Sequence, residues 1–139
     1  MTERADDTHS AVPRLFTVAE ARALLPVLRP ILIGLRDDKR QSTELRRRLG
    51  ELSSIRRQNG EAAEAEEVER RIASQYQKIA RQLEELSALG VFVKDIDHGL
   101  VDFPSLRDGR PVLLCWHLAE PDVAWWHPLD GGFRGRQPL

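Results

Sequence analysis

Cysteine, methionine and tyrosine each occur once in the 139 residues, and only 6% of the chain is aromatic. A single cysteine, Cys115, excludes an internal disulfide framework and suits a reducing compartment. No apolar run approaches the roughly 18 residues needed to span a bilayer; Leu24 to Leu35 is interrupted by Pro26, Arg29 and Pro30. Neither sign of charge dominates. The 21 Lys and Arg against 22 Asp and Glu leave a net charge of −1, whereas nucleic-acid modules usually concentrate Lys and Arg. Walker, dinucleotide, nucleophile-elbow and Cys-x-x-Cys patterns are missing as well. The stretch from Thr2 to Ser10 is polar and acidic, unlike a secretory leader, so a cytoplasmic protein without membrane partners is expected.

What is present divides into two halves. Residues 1–14 carry few apolar side chains and read as a disordered tail, leaving one α+β domain over 15–139. Thr17 and Glu20 form a capping box, so a helix starts there. Pro26 and Pro30 predict a short first helix, a kink and then a long helix. From Leu35 the spacing is heptad-like through Asp38, Ser42, Leu45, Leu49 and Leu52. It breaks at Asn59-Gly60 and resumes as Ala65, Val68, Ile72, Gln75, Ile79, Leu83 and Leu86, with Gly90 as a C-cap. The pattern predicts a long antiparallel helical hairpin over 17–89, resembling a coiled coil. Its basic first arm and acidic second arm would pair across the seam, and Arg56 and Arg57 at its tip are the one place where nucleic acid could touch an otherwise unsuited surface.

After Gly90 the period changes to that of strands. Val91–Ile96, Leu100–Phe103, Pro111–Leu118 and Val123–His127 predict an antiparallel meander of about four strands, covered on one face by the base of the hairpin, with a C-terminal tail laid over it. All three tryptophans, Cys115, His117 and His127 fall between residues 112 and 139. Trp116, Trp125 and Trp126 are expected to cement sheet to helices, although two adjacent tryptophans on a strand must face opposite ways.

The chemistry here admits two readings. His117, Glu120 and His127 are the residue types that hold zinc or iron. If residues 119–122 form a four-residue turn, however, His117 faces Ala124, Cys115 faces Trp126 and Leu114 faces His127, so the two histidines look in opposite directions. Glu120 would then lie on the order of 13 Å from His127, at roughly 3.3 Å per residue. His127 by itself, with Asp130 returning through the Leu129–Gly132 bend to orient the imidazole, could anchor a ligand site that includes Asp102, Trp126, Arg134 and Arg136. Cys115, on a central strand with no basic neighbour, reads as a buried inert thiol.

Several strings together carry a family likeness: Phe16-Thr17-Val18-Ala19-Glu20-Ala21 with Leu25-Pro26, Val93-Lys94-Asp95, Gly99-Leu100-Val101-Asp102-Phe103-Pro104, Cys115-Trp116, Glu120, Trp126-His127 and Gly132-Phe133-Arg134-Gly135-Arg136-Gln137-Pro138. The chain from Phe16 to Leu139 resembles the prokaryotic domain-of-unknown-function family 2203. The resemblance implies a small stand-alone cytoplasmic protein and brings no activity with it. His117 and Ala119 depart from the family pattern, which leaves His127 as the matching histidine. The leading expectation is therefore a non-enzymatic interaction module without a cofactor, using the hairpin and the Trp-rich sheet surface for self-association or a protein partner. The rival is a small-molecule, anion or metal (zinc or iron) site, catalytic or not, around His127, Asp130, Arg134 and Arg136.

Overall fold

The computed structural model describes residues 14–59 and 62–139, with side chains described throughout that range except at 54–59. The N-terminal tail, the Asn59-Gly60 break and the Arg56–Arg57 tip thus fall wholly or largely outside the described residues.

Helix α1 runs over Val18–Asn59 and α2 over Ala62–Ala88. The start of α1 is the capping box read from the sequence: the Thr17 hydroxyl accepts from the Glu20 amide at 3.1 Å, and the Glu20 carboxylate accepts from the Thr17 amide at 2.9 Å. One expectation fails here. Pro26 and Pro30 lie inside a single continuous helix. Each removes the hydrogen bond to the carbonyl four residues earlier, but both prolines sit on the exposed side, one turn apart. Water can serve the released carbonyls of Arg22 and Pro26 there, while the opposite face stays packed.

That face is the stripe Ala21, Leu25, Leu28, Leu32 and Leu35, all buried. It joins Leu86, Phe103, Leu114, Trp116 and Val123 in the main core between helices and sheet. Further out, Leu52, Ala65, Val68 and Ile72 form a second cluster made only of helix residues, flanked by Leu45 and Leu49. Between the clusters the seam is polar. Gln82 donates to the buried Asp38 carboxylate at 3.0 Å and Lys78 approaches it at 3.4 Å. The inward residue at this level is Gln82, whereas Leu83, expected in the seam, is 36% exposed. Cross-seam charge pairing takes the form of Arg48 with Glu64 at 2.6 Å; Arg47, Arg70 and Arg71 pair along their own helices with Glu44, Glu51 and Glu67.

The sheet is an antiparallel meander in the order β1 (Phe92–Asp95), β2 (Leu100–Arg107), β3 (Arg110–Trp116), β4 (Trp125–Pro128) and β5 (Gln137–Pro138). It therefore has a fifth short strand beyond the four expected. Strand β2 also continues through Pro104 to Arg107, because Asp108 and Gly109, at φ 54° and 76°, make a two-residue turn straight into β3. No described helix is long and apolar enough to cross a membrane.

Two arginines of α1 fix the connection between β3 and β4. Arg22 donates twice to the Val123 carbonyl, at 3.1 and 2.9 Å, and Arg29 donates to the carbonyls of Leu118, Glu120 and Pro121. The Trp116 indole N–H donates to Glu120 O at 2.9 Å. With its carbonyls bound in this way, the segment from His117 to Ala124 is a long ordered connection rather than a four-residue turn. Cys115 consequently pairs with Trp125, Leu114 with Trp126 and Leu113 with His127. That is one residue away from the register expected from a short turn, and a one-residue slip exchanges the faces of every side chain on the strand.

Candidate metal centre on the outer face of the sheet

Alternation along β2 and β3 sends Val101, Phe103, Leu114 and Trp116 into the helix-side core. Their neighbours Asp102 and Cys115, a directly opposed pair, must then point to the outer face. The observed β3–β4 register puts His127 on that face too, one rung along beside Leu113. The expectation that Cys115 and His127 face opposite ways is overturned by the slip.

These three side chains converge. The His127 imidazole, the Cys115 sulfur and an Asp102 carboxylate oxygen lie within 4.8 Å of one another, and among the described residues this is the one group of three or more His, Cys, Asp or Glu so disposed. All are buried, with residue exposures of 1%, 1% and 2%. The chain after His127 turns back through the Gly131 amide, which donates to the Pro128 carbonyl at 2.9 Å. It returns to pair Gln137 with Trp126.

The hydrogen bonds fix the tautomer of His127. Nδ1 lies 2.7 Å from the Pro128 carbonyl, which can only accept, so Nδ1 carries a hydrogen. Nε2 then faces both Asp102 carboxylate oxygens at 3.3 Å. A neutral imidazole with its proton on Nδ1 would present a lone pair to a carboxylate, an arrangement that needs a proton or a cation between the two. The Cys115 thiol is pushed up to about 12, first by burial and then by the negative Asp102, with Arg136 acting in the opposite direction.

This geometry does not build a nucleophilic relay. In such a relay the carboxylate orients one ring nitrogen while the other activates the thiol. Here carboxylate and thiol stand on the Nε2 side and a backbone carbonyl occupies Nδ1. What the arrangement can do is place three donors around one point. Tetrahedral zinc with bonds of about 2.0–2.3 Å requires ligand separations of about 3.3–3.8 Å. Contraction from the present spacing is within side-chain reach, and a histidine held by a carbonyl through its other nitrogen is the usual support for a metal ligand.

The remaining residues expected at a site fall elsewhere. Glu120 accepts from Arg136 at 2.6 Å and from the His117 amide at 3.1 Å, and His117 Nε2 lies 3.7 Å from its carboxylate. His117 Nδ1 accepts from the Ala119 amide at 3.3 Å, and among the described residues neither His117 nor Glu120 joins the three-donor cluster at His127. Arg136 lies 4.9 Å over Trp125 and 4.6 Å over Phe133, supplying the cover that Trp125 needs outside the core. Asp130 and Arg134 are exposed and take no part in the cluster; the Pro128 carbonyl, not the Asp130 carboxylate, holds His127. On the same outer face, one end of the sheet has a cavity of about 330 Å³ lined by Asp95, His98, Leu100, His117 and Phe133. His98 lies 2.7 Å from Asp95 and, ahead of any other cause, keeps that carboxyl below its ordinary value. Trp126 is on the helix side, under Arg107 at 4.9 Å.

Sequence reasoning missed Cys115 as a partner of His127. The signal was present in the alternation, since Asp102, Cys115 and His127 share a face under one of the two possible parities, and the β3–β4 connection decides which.

No curated protein and no solved structure matches the chain. A family model described as "Uncharacterized conserved protein (DUF2203)" matches residues 14–139, which is nearly all of the sequence, and the chain belongs to that family.

Proposed function

We propose that the protein binds one zinc ion, or a similar divalent first-row metal, through Asp102 Oδ, Cys115 Sγ and His127 Nε2. The observation that carries this reading is the convergence of three buried donors within 4.8 Å, with Nε2 turned toward carboxylate and thiol because Nδ1 is committed to Pro128. A thiolate, imidazole and carboxylate set suits zinc, iron or cobalt better than calcium or magnesium, which prefer all-oxygen shells. Binding would displace the thiol proton despite its raised pKa, because a coordinating thiol is deprotonated by the ion's charge. Three protein ligands leave a fourth position for water or a small ligand. A reducing, cytoplasmic setting keeps the thiol available.

Elemental analysis of protein purified without chelator, followed by cobalt substitution, tests the proposal. One equivalent of metal is expected, together with a thiolate-to-cobalt charge-transfer band that disappears in Cys115→Ser and His127→Ala while the far-ultraviolet dichroism is retained. Wild-type protein that takes up no stoichiometric zinc or cobalt would end it.

A second reading, assembly through the helical arm, is favoured by the distal cluster. It holds helix residues alone, and a polar Asp38–Gln82 level separates it from the main core. Sedimentation would test it: Leu45→Asp or Ile72→Asp is expected to abolish self-association, whereas His127→Ala leaves it intact. A monomeric wild-type chain at all concentrations, with no partner needing the arm, would remove this reading.

A further inference from the structure

The helix-side face of the sheet runs on past its helical cover. Phe16 marks the last packed level: its carbonyl accepts from the Ser105 hydroxyl and its amide donates to Pro104 O. Beyond Ser105, alternation continues to place Arg107, Arg110 and Val112 on this face, with Trp126 and Pro128 of β4 beside them. Together with Asp108 and Pro111 they line a cleft of about 510 Å³, within the range of small-molecule sites. It lies on the opposite face of the sheet from the candidate metal centre.

Its charge arrangement calls for a partner. Arg107 and Arg110 are directly opposed across the ladder, and like charges in that position repel. Both are exposed, and among the described residues neither has a carboxylate partner. Arg107 is already positioned, with its guanidinium 4.9 Å over the Trp126 ring. Two guanidinium groups on one rung offer the forked donors that a tetrahedral oxyanion accepts. Their joint charge of two matches a phosphate monoester dianion and exceeds that of a carboxylate. Trp126, Pro111 and Pro128 supply apolar surface for a flat ring, and Asp108 is the one acidic acceptor on the rim, suited to a sugar hydroxyl.

We propose that this cleft binds a nucleoside monophosphate or a similarly built planar phosphate monoester, its phosphate between Arg107 and Arg110 and its ring against Trp126. Titration of the full chain with AMP, inorganic phosphate and adenosine, read by tryptophan fluorescence and calorimetry, tests it. AMP is expected to saturate, with adenosine, which lacks the charge-assisted hydrogen bonds, and phosphate, which lacks the stacked ring, each binding at least about tenfold more weakly. Arg107→Gln with Arg110→Gln is expected to weaken AMP by at least about tenfold, while Trp126→Phe keeps partial affinity and Asp102→Asn keeps all of it. Equal affinity for phosphate and AMP, wild-type affinity in the arginine double variant, or no saturation at millimolar AMP would each overturn the assignment. The Asp102→Asn arm keeps this outcome separate from that of the metal.

Discussion

At the residue scale, Cys115 shows how much one position depends on its surroundings. Its type and place on a strand suggest an inert thiol, and burial does hold the proton on sulfur. Alkylation by iodoacetamide at pH 8 is accordingly expected to be negligible in native, chelator-treated protein and rapid in urea. The same shift has a signed consequence for stability. The unfolded thiol ionises near its ordinary value of 9.0, whereas the folded one holds its proton to about 12. Below the lower value both states are protonated and the thiol contributes nothing. Between the two, the unfolded state alone loses its proton, so stability of the metal-free protein drains away as pH rises. A Cys115→Ala variant should show a flatter loss over that window in denaturant titrations. His127 was legible as the residue to watch, but its support was not: the Pro128 carbonyl takes the place expected for Asp130, and no residue type announces a backbone acceptor.

At the scale of elements, local chemistry was the most readable. The Thr17–Glu20 capping box and the Gly90 C-cap at φ 92° form where their residues indicate. Gly99 has a packing reason as well: at φ 63°, an added Cβ would lie 2.4 Å from Leu118. Gly99→Ala is therefore expected to cost at least about 1–3 kcal/mol, from backbone strain alone, by chemical denaturation. The polar seam makes a two-part prediction. Asp38→Ala strands Gln82 and Lys78 and should destabilise by about 1–3 kcal/mol. Asp38→Leu with Gln82→Leu removes both partners and should be neutral or stabilising, since Gln82 Oε1 is buried without a partner already. The β3–β4 register was not legible, because it rests on Arg22 and Arg29 reaching carbonyls about a hundred positions away. Nothing within the hairpin itself encodes that.

For the whole molecule, the α+β plan follows from the change of period at Gly90, and the antiparallel sheet from short connections between consecutive strands. Two separate apolar clusters give the hairpin uneven support. Amide exchange is expected to be slowest where α1 meets the sheet, around Leu28 to Leu35, and faster by orders of magnitude around Leu45 and Ile72, as local opening there costs less than global unfolding. Uniform protection along both helices would show that the distal cluster is not a separate cooperative unit.

The clamp of Arg22 on the Val123 carbonyl joins positions 101 residues apart. During synthesis at about 5–20 residues per second, the leucine stripe of the first helix therefore waits roughly 5–20 s before its covering layer has been made. The nascent polypeptide is greasy along one side for that interval, and a holdase that shields it should raise the yield of well-formed product more than any change to the finished surface.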